Sequence, residues 1–140
     1  MFIPEGFHTV TPYLFASGAP VLLEFLCAAF GGEEVHCSER EDGSVANAQL
    51  RIGSSMMMVS EATDGWPALP CSFYLYVEDA DASVQRALDC GASLEMAVMD
   101  MPYGDRQGGV RDPAGNIWWV SQHNLQFPAG SPGRSGAGLA

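Results

Sequence analysis

The sequence contains no lysine, and its only permanent cations are arginines. Seventeen acidic residues oppose them, and the formal net charge is −11. Because phosphate backbones are bound by clustered lysine and arginine side chains, this balance argues against a nucleic-acid partner. An acidic surface most often serves solubility, and it is also compatible with a cationic ligand. The six arginines are Arg40, Arg51, Arg86, Arg106, Arg111 and Arg134.

Long apolar runs and cysteine pairs are also missing. No segment approaches the roughly 18 apolar residues of a membrane helix, and the first residues show no basic region and no apolar signal-peptide core. The sequence therefore predicts a cytoplasmic protein without membrane contact. Its cysteines include no Cys-x-x-Cys pair, which argues against a zinc knuckle and predicts free thiols. They are Cys27, Cys37, Cys71 and Cys90.

The composition is that of a globular chain. Hydrophobic residues make up 47% of the 140 positions and aromatic residues 10%, which is enough for a sizeable core. We predict a single domain over residues 1–127, in which two small halves can share one core. Glycine, serine, proline and alanine dominate the last residues, so positions 128–140 are predicted to form a flexible tail.

The most informative stretch is the predicted hairpin at residues 108–123. Asp112-Pro113 starts a tight turn because proline presets φ at the first central position, and Gly115 supplies the positive φ that closes it. The residues after the turn are β-branched and aromatic, which favours a strand. Trp118 and Trp119 are adjacent on that strand and must point to opposite faces, so one can join the core while the other faces away from it.

The two halves of the chain repeat each other. Tyr13-Leu14-Phe15 matches Tyr74-Leu75-Tyr76, and Val59-Ser60-Glu61 matches Val120-Ser121-Gln122, both with an offset of 61 residues. Between these matches, each half has a helix pattern ending at glycine and a hairpin with glycine in its turn. The first strand is expected over residues 9–16. The pattern predicts an α+β fold of two β-α-β-β-β modules, at about residues 8–61 and 71–123, whose curled mixed sheets surround a shared cleft.

This arrangement resembles the vicinal oxygen chelate superfamily, which includes glyoxalase I, extradiol dioxygenases, and the fosfomycin- and bleomycin-resistance proteins. Within it, the PhnB-like branch is the most similar. The resemblance covers roughly residues 8–124 and implies paired modules that commonly assemble as homodimers. It is carried by Thr11-Pro12-Tyr13-Leu14, a helix ending at residues 29–32, the stretch 53–58, Gly104-Asp105-Arg106, and residues 112–118.

The resemblance also implies a divalent metal held by the first and last strands of each module. The last-strand position lies four residues after the turn glycine, at Trp119, and the repeat offset then gives Met58. The first-strand position, placed from the match around Val77, is Ser72, and the same offset gives Thr11. Metal sites are normally built from histidine, carboxylate, glutamine or cysteine side chains. We therefore expect no metal and no other cofactor. A shift of two residues along the strands does not restore a donor set, since it offers Tyr13, Met56, Tyr74 or Ser121.

Alternation along the strands separates two predicted faces. The positions that share parity with Trp119 are aromatic, methionine or hydroxyl residues, which are typical of an organic-ligand site, although they could also fill a closed core. The other parity is largely aliphatic and is expected to pack under the helices: Leu14, Met57, Val59, Phe73, Leu75, Val77, Trp118 and Val120. In the family, the stretch around Arg106 borders the cleft, where a guanidinium could bind a carboxylate or phosphate. The predicted ligand-binding residues are Tyr13, Phe15, Met58, Tyr74, Tyr76, Arg106 and Trp119.

Catalytic residues cannot be assigned from spacing, because the sequence has no nucleophile elbow, phosphate loop or Ser-His-Asp arrangement. Glu61 and Glu95 are candidate bases only if they are buried. His8 is expected to be exposed, and His123 to lie at the cleft mouth or on the surface. Arg111 is expected to pair with its neighbour Asp112.

These features predict a glyoxalase/bleomycin-resistance-like protein that binds a small aromatic or otherwise flat organic ligand without metal, as a homodimer. Sequestration of an antibiotic or toxic compound would suit the acidic surface. Two alternatives stay open at this point. One is a metal-dependent glyoxalase-like lyase, isomerase or dioxygenase, and the other is a dimeric module with no ligand.

Overall fold

The protein is built from two copies of one module. A computed structural model describes residues 1–124, so the predicted tail at 128–140 lies outside the described residues. The predicted α+β architecture of two β-α-β-β-β modules is confirmed. The first module consists of β1 (Tyr13–Ala16), α1 (Ala19–Phe30), β2 (Glu33–Glu39), β3 (Val45–Ile52) and β4 (Ser55–Glu61). The second consists of β5 (Ser72–Tyr76), α2 (Ala80–Asp89), β6 (Ser93–Asp100), β7 (Asp105–Arg111) and β8 (Ile117–His123).

Each module forms one mixed four-stranded sheet. Sheet 1 has the strand order β1-β4-β3-β2, and sheet 2 has the order β5-β8-β7-β6. The first strand of each module pairs parallel with the last, and the remaining pairs are antiparallel. Tyr13 lies opposite Met58 in sheet 1 and Tyr74 lies opposite Trp119 in sheet 2. These partners differ by 61 residues on both strands, so the sequence repeat is a structural repeat in register.

The first strand is shorter than the sequence pattern suggests. β1 begins at Tyr13, although the pattern extends back to residue 9. Proline at position 12 has no N–H to donate to a neighbouring strand. Its carbonyl still accepts a hydrogen bond from the Met58 backbone N–H at 2.9 Å. The residue therefore marks the end of the lead-in, and β1 follows directly after it.

One hydrophobic core joins the two modules, which meet along α1 and α2. Leu22, Leu26 and Ala29 of α1 are buried at helical spacing. Phe30, at the end of α1, places its ring 5.1 Å from the ring of Trp118 in the other module. All eight residues predicted to face the helices belong to this core or pack against it. Neither helix within residues 1–124 is long and apolar enough to span a membrane.

The helix-distal face of each sheet, called the open face here, is largely uncovered. Tyr13 is 46% exposed on sheet 1, and Tyr74 and Tyr76 are 44% and 64% exposed on sheet 2. A cavity lies over each open face. The residues that line the cavity over sheet 1 lie between positions 2 and 58, and those that line the cavity over sheet 2 lie between positions 74 and 123.

The N-termini of the two helices are capped by the equivalent residues Glu61 and Gln122. The Glu61 carboxylate accepts hydrogen bonds from the backbone N–H groups of Gly18, at 3.0 Å, and Ala19, at 2.8 Å. The Gln122 side-chain oxygen accepts from the N–H of Ala80 at 3.0 Å. Helix α1 has no side-chain cap of its own and no acidic residue in its first turn. Glu61 is therefore its cap, supplied from the end of β4.

We expect Glu61→Ala to lower the free energy of unfolding by about 1–2 kcal/mol, because two N–H groups lose their acceptor at the positive end of a helix. Urea denaturation of both proteins measures this difference. Gln122→Ala is the matched control and should cost less, since α2 keeps a second cap in Asp79, which accepts from the Ala82 N–H at 3.0 Å. Equal losses for the two variants would contradict the capping role of Glu61.

Candidate functional site

The cavity over sheet 2, called the module-2 cavity here, has a volume of about 800 Å³. Its wall combines four aromatic residues and two methionines with a carboxylate, an amide and an imidazole. This mixture of apolar surface and a few polar groups is typical of sites for small organic ligands. The lining residues are Tyr74, Tyr76, Met96, Met101, Tyr103, Asp105, Gln107, Trp119 and His123.

Two small residues, Gly109 and Ser72, fix the position of the Trp119 side chain. Gly109 lies opposite Trp119 on β7, and a Cβ at Gly109 would stand 2.7 Å from the indole ring. The ring can lie over β7 only because position 109 has no side chain. The indole N–H donates to the Ser72 hydroxyl at 3.0 Å. Trp119 is thus held against the sheet while its ring borders the cavity.

The neighbouring tryptophan has the opposite role, as the alternation of the strand predicts. Trp118 is buried, and its ring centroid lies 4.6 Å from that of Phe73. Its indole N–H donates to the Asp112 carboxylate at 2.8 Å. One tryptophan therefore stabilises the core, and the next one is available to the cavity.

Asp105 is the charged group of the cavity wall, and it is only 6% exposed. One of its oxygens accepts the Tyr74 hydroxyl at 2.6 Å, and the other lies 3.0 Å from Nδ1 of His123. Burial and the bond to Asp105 raise the pKa of the Tyr74 phenol well above its usual range, so Tyr74 stays protonated and donates. The three side chains form a connected hydrogen-bonded group.

Sequence reasoning did not single out Asp105, and it left His123 undecided between cleft mouth and surface. The signal was the register of the hairpin. Asp105 pairs with His123 across β7 and β8, and both share parity with Gly109 and Trp119. Extending the alternation back from the turn at Gly115 would have placed Asp105 and His123 on the open face.

The structure brings together three of the predicted ligand-binding residues and separates the other four. Tyr74, Tyr76 and Trp119 line the module-2 cavity. Met58 lines the cavity over sheet 1, which measures about 440 Å³ and is partly formed by the N-terminal segment from Phe2 to His8. His8 is exposed there, as predicted.

Tyr13 and Phe15 also lie on sheet 1, away from the module-2 cavity. Their ring centroids are 4.9 Å apart, and the Tyr13 hydroxyl is 2.7 Å from the Ser60 hydroxyl. Trp66, from the segment between the modules, lies 6.2 Å from Phe15. These rings form an exposed aromatic cluster on the open face of sheet 1.

The predicted ligand role of Arg106 finds no support in its position. Its side chain points to the helix side of sheet 2, where Nε lies 2.7 Å from the Asp81 carboxylate of α2 and Nη1 lies 3.1 Å from Asp100. The guanidinium lowers the pKa of Asp81 through this contact. Arg106 does not line the module-2 cavity. The alternation explains this placement, because the cavity residues Asp105 and Gln107 flank Arg106 on the strand.

The predicted pairing of Arg111 with Asp112 is wrong. Arg111 binds Glu95 across the strand pair, with Nη2 2.6 Å from Oε1, and Asp112 turns inward to the turn and to Trp118. Glu95 and Glu61, named above as candidate bases, are therefore engaged in an ion pair and a helix cap, respectively.

Sequence and structure comparisons identify the family. A profile of the Glyoxalase/Bleomycin resistance protein/Dioxygenase superfamily matches residues 7–120. The chain belongs to this superfamily. An uncharacterized protein of Mycobacterium bovis is 31% identical over 124 residues, which cover 81% of this chain and 82% of that relative.

Solved structures of other proteins show the same fold. TnmS3, an antibiotic binding protein from Streptomyces sp. CB03234, has a TM-score of 0.68 at 19% identity and covers 89% of this chain and 99% of its own. A PhnB protein from Bacillus cereus has a TM-score of 0.66 at 18% identity and covers 82% and 99%, respectively. At these identities the likeness extends to the fold alone.

The metal implied by the superfamily does not fit this member's side chains at the equivalent positions. In module 2, Trp119 and Ser72 are hydrogen-bonded to each other, and the indole nitrogen is the donor. Thr11 and Met58, at the matching positions of module 1, line the smaller cavity. An indole N–H, a thioether and two hydroxyls do not make a site for a divalent metal. Within residues 1–124, no three His, Cys, Asp or Glu side chains are grouped to hold a metal ion.

Proposed function

We propose that this superfamily member binds a small, flat aromatic organic molecule in the module-2 cavity, without a metal ion. The position of Trp119 supports this proposal most directly. Its ring is fixed by Ser72 and by the missing side chain at Gly109, and it borders the cavity together with the Tyr74 and Tyr76 rings. Ring–ring contacts in offset or edge arrangements contribute about 0.5–1.5 kcal/mol each beyond the apolar area that they bury.

The size of the cavity suits such a ligand. Its volume of about 800 Å³ falls within the roughly 300–1,000 Å³ that is usual for drug-sized molecules. The flexible side chains of Met96 and Met101 can adapt to ligands of different outline. The similarity to TnmS3, which is an antibiotic binding protein, leads us to propose that an antibiotic or another toxic compound is sequestered here.

We propose further that the binding unit is a homodimer. Exposed apolar side chains lie on both open faces, and β1 and β5 are edge strands of their sheets. Large apolar surfaces of this kind usually mark an interface. Among the described residues, those that line each open-face cavity come from one half of the chain. A second copy that placed its sheet 1 over sheet 2 would therefore close a shared cleft around the ligand.

Titration with a panel of flat aromatic compounds, followed by tryptophan fluorescence, tests the binding proposal. We expect saturable quenching, because a ligand in the module-2 cavity lies next to Trp119. Elemental analysis of the purified protein runs in parallel. A tightly bound divalent ion at one per chain would contradict the metal-free proposal, and a panel without any saturable response would contradict ligand binding.

The dimer is tested by light scattering after size exclusion. We expect a mass of twice the 14.9 kDa of the chain. Tyr13→Glu should shift it to the monomer, because a charge would then have to be buried between the open faces. Val21→Glu is the matched control, since Val21 is 57% exposed on α1, away from these faces, and it should stay dimeric. A wild-type protein that is monomeric with and without bound ligand would contradict the proposal.

A further inference from the structure

The charged side chains in the wall of the module-2 cavity favour a positively charged ligand. Asp105 is buried in its wall, and no arginine from residues 1–124 lines it. The adjacent Arg106 is held on the other face of the sheet by Asp81 and Asp100. Of the described residues that line the wall, His123 is the one basic side chain, 3.0 Å from Asp105. Among residues 1–124, the cavity therefore contains a buried carboxylate with no arginine side chain beside it.

The Asp105 carboxylate can accept more hydrogen bonds than the described side chains donate to it. A carboxylate has about four lone-pair sites. In the part of the chain that the structure describes, side chains occupy one site on each oxygen, through Tyr74 and His123. A carboxylate shielded from water gains much more from a positive partner than an exposed one does. The remaining lone pairs of Asp105 therefore favour a ligand group that is both cationic and a hydrogen-bond donor.

The aromatic wall favours the same kind of group. The Tyr74 and Tyr76 ring centroids lie 5.2 Å apart beside the carboxylate, and Trp119 borders the same cavity. Ring faces attract organic cations, and tryptophan does so most strongly. The net charge of −11 adds a long-range field that draws cations and repels anions.

We propose that the ligand class of this cavity is a flat aromatic compound that carries a protonated amine or another cationic nitrogen donor. The cationic nitrogen pairs with Asp105, and the ring system lies against Trp119. This inference rests on the proposed ligand-binding function and deepens it, because it names the charge of the ligand and the residue that binds the charged group.

Three tricyclic probes of similar outline test the inference: a protonated aminoacridine, neutral acridone, and an anthracene carboxylate. Dissociation constants are measured by calorimetry with the full-length protein at neutral pH. We expect the aminoacridine to bind on the order of ten- to a hundredfold more tightly than acridone, as for a hydrogen bond between charged partners. The carboxylate should bind most weakly.

The variant Asp105→Asn locates the effect. It should remove the preference for the cation, so that the aminoacridine and acridone bind the variant with similar affinity. Asp89→Asn is the matched control, because it removes the same charge from an exposed position on α2, and it should keep the preference. The comparison among probes on the wild-type protein needs no variant and stands even if Asp105→Asn folds poorly.

The outcomes separate the two proposals. If acridone or the carboxylate binds as tightly as the aminoacridine, the charge inference is overturned while ligand binding stands. The charge inference is also overturned if Asp89→Asn reduces the cation preference as much as Asp105→Asn does. If none of the three probes binds, ligand binding in this cavity is contradicted, and the charge inference fails with it.

Discussion

Replacing Asp112 with alanine is expected to destabilise the protein by about 3–5 kcal/mol, the largest effect on stability that we predict. Asp112 is buried at the start of the β7–β8 turn. One carboxylate oxygen accepts the backbone N–H of Ala114 at 2.8 Å and that of Asn116 at 3.0 Å. The other oxygen accepts the Asn116 side chain at 2.9 Å and the Trp118 indole N–H at 2.8 Å.

The loss is large because alanine leaves several buried donors without an acceptor. Each such group costs about 1–3 kcal/mol when it stays unpaired, although the structure can relax in part. The damage also reaches β5, because the Asn116 side-chain oxygen accepts the Cys71 backbone N–H at 2.8 Å. The Trp118 ring that Asp112 orients lies against Phe30 of the other module. A single turn residue therefore supports the junction of the two modules.

Urea denaturation of the wild-type protein and the variant provides the measurement. Asp64→Ala is the control, because Asp64 is exposed in the segment between the modules, and it should change the free energy of unfolding by less than about 0.5 kcal/mol. Asp112→Asn should fall between the wild type and the alanine variant, since it keeps one acceptor oxygen. An Asp112→Ala protein as stable as the Asp64→Ala control would contradict the structural role given to this carboxylate.

Trp119→Ala is expected to weaken the binding of flat aromatic ligands by about 1–3 kcal/mol, or roughly five- to 150-fold in the dissociation constant. The physical reason is the loss of the ring that the ligand contacts. Trp119→Phe should retain much of the affinity, because it keeps an aromatic face. Calorimetry is the suitable measurement, since the variants also alter the fluorescence signal.

Gly109→Ala tests the same contact between Trp119 and the ligand by displacing the indole ring instead of removing it. Its methyl group would stand 2.7 Å from the indole, so the ring must move, and affinity should fall although the ring is still present. Denaturation curves for each variant separate a lost contact from a lost fold. Unchanged affinity in Trp119→Ala would mean that the indole only fills space in the cavity wall.

The architecture could be predicted from turn residues, strand alternation and the internal repeat of the sequence. The turn at residues 112–115 was predicted from Asp-Pro and from glycine, and Gly115 has a φ of 92°. The repeat of 61 residues fixed the equivalence of Tyr13 with Tyr74 and of Met58 with Trp119. Alternation then separated Trp118 from Trp119. The turn depends on residues that are close in sequence, the alternation on the two-residue period of a strand, and the repeat on two sequence matches with the same offset.

The assembly of the candidate site could not be predicted in the same way. Tyr74 and Asp105 are separated by 31 residues and Asp105 and His123 by 18, yet they share hydrogen bonds. The partners of Arg106 and Glu61 were also missed, because Asp81 lies 25 residues away and Ala19 lies 42 residues away. The hairpin register could have placed Asp105 and His123 on the open face, but the local sequence does not identify Tyr74 as their partner or Glu61 as a helix cap.

The sequence by itself therefore determined the module, its repeat and the two faces of each strand. Only the tertiary structure decided which polar side chains meet in the module-2 cavity and which are taken up by ion pairs and caps. The physical reason is range: strand alternation and turn geometry act over a few residues, whereas a carboxylate finds its partner through space, after the chain has folded.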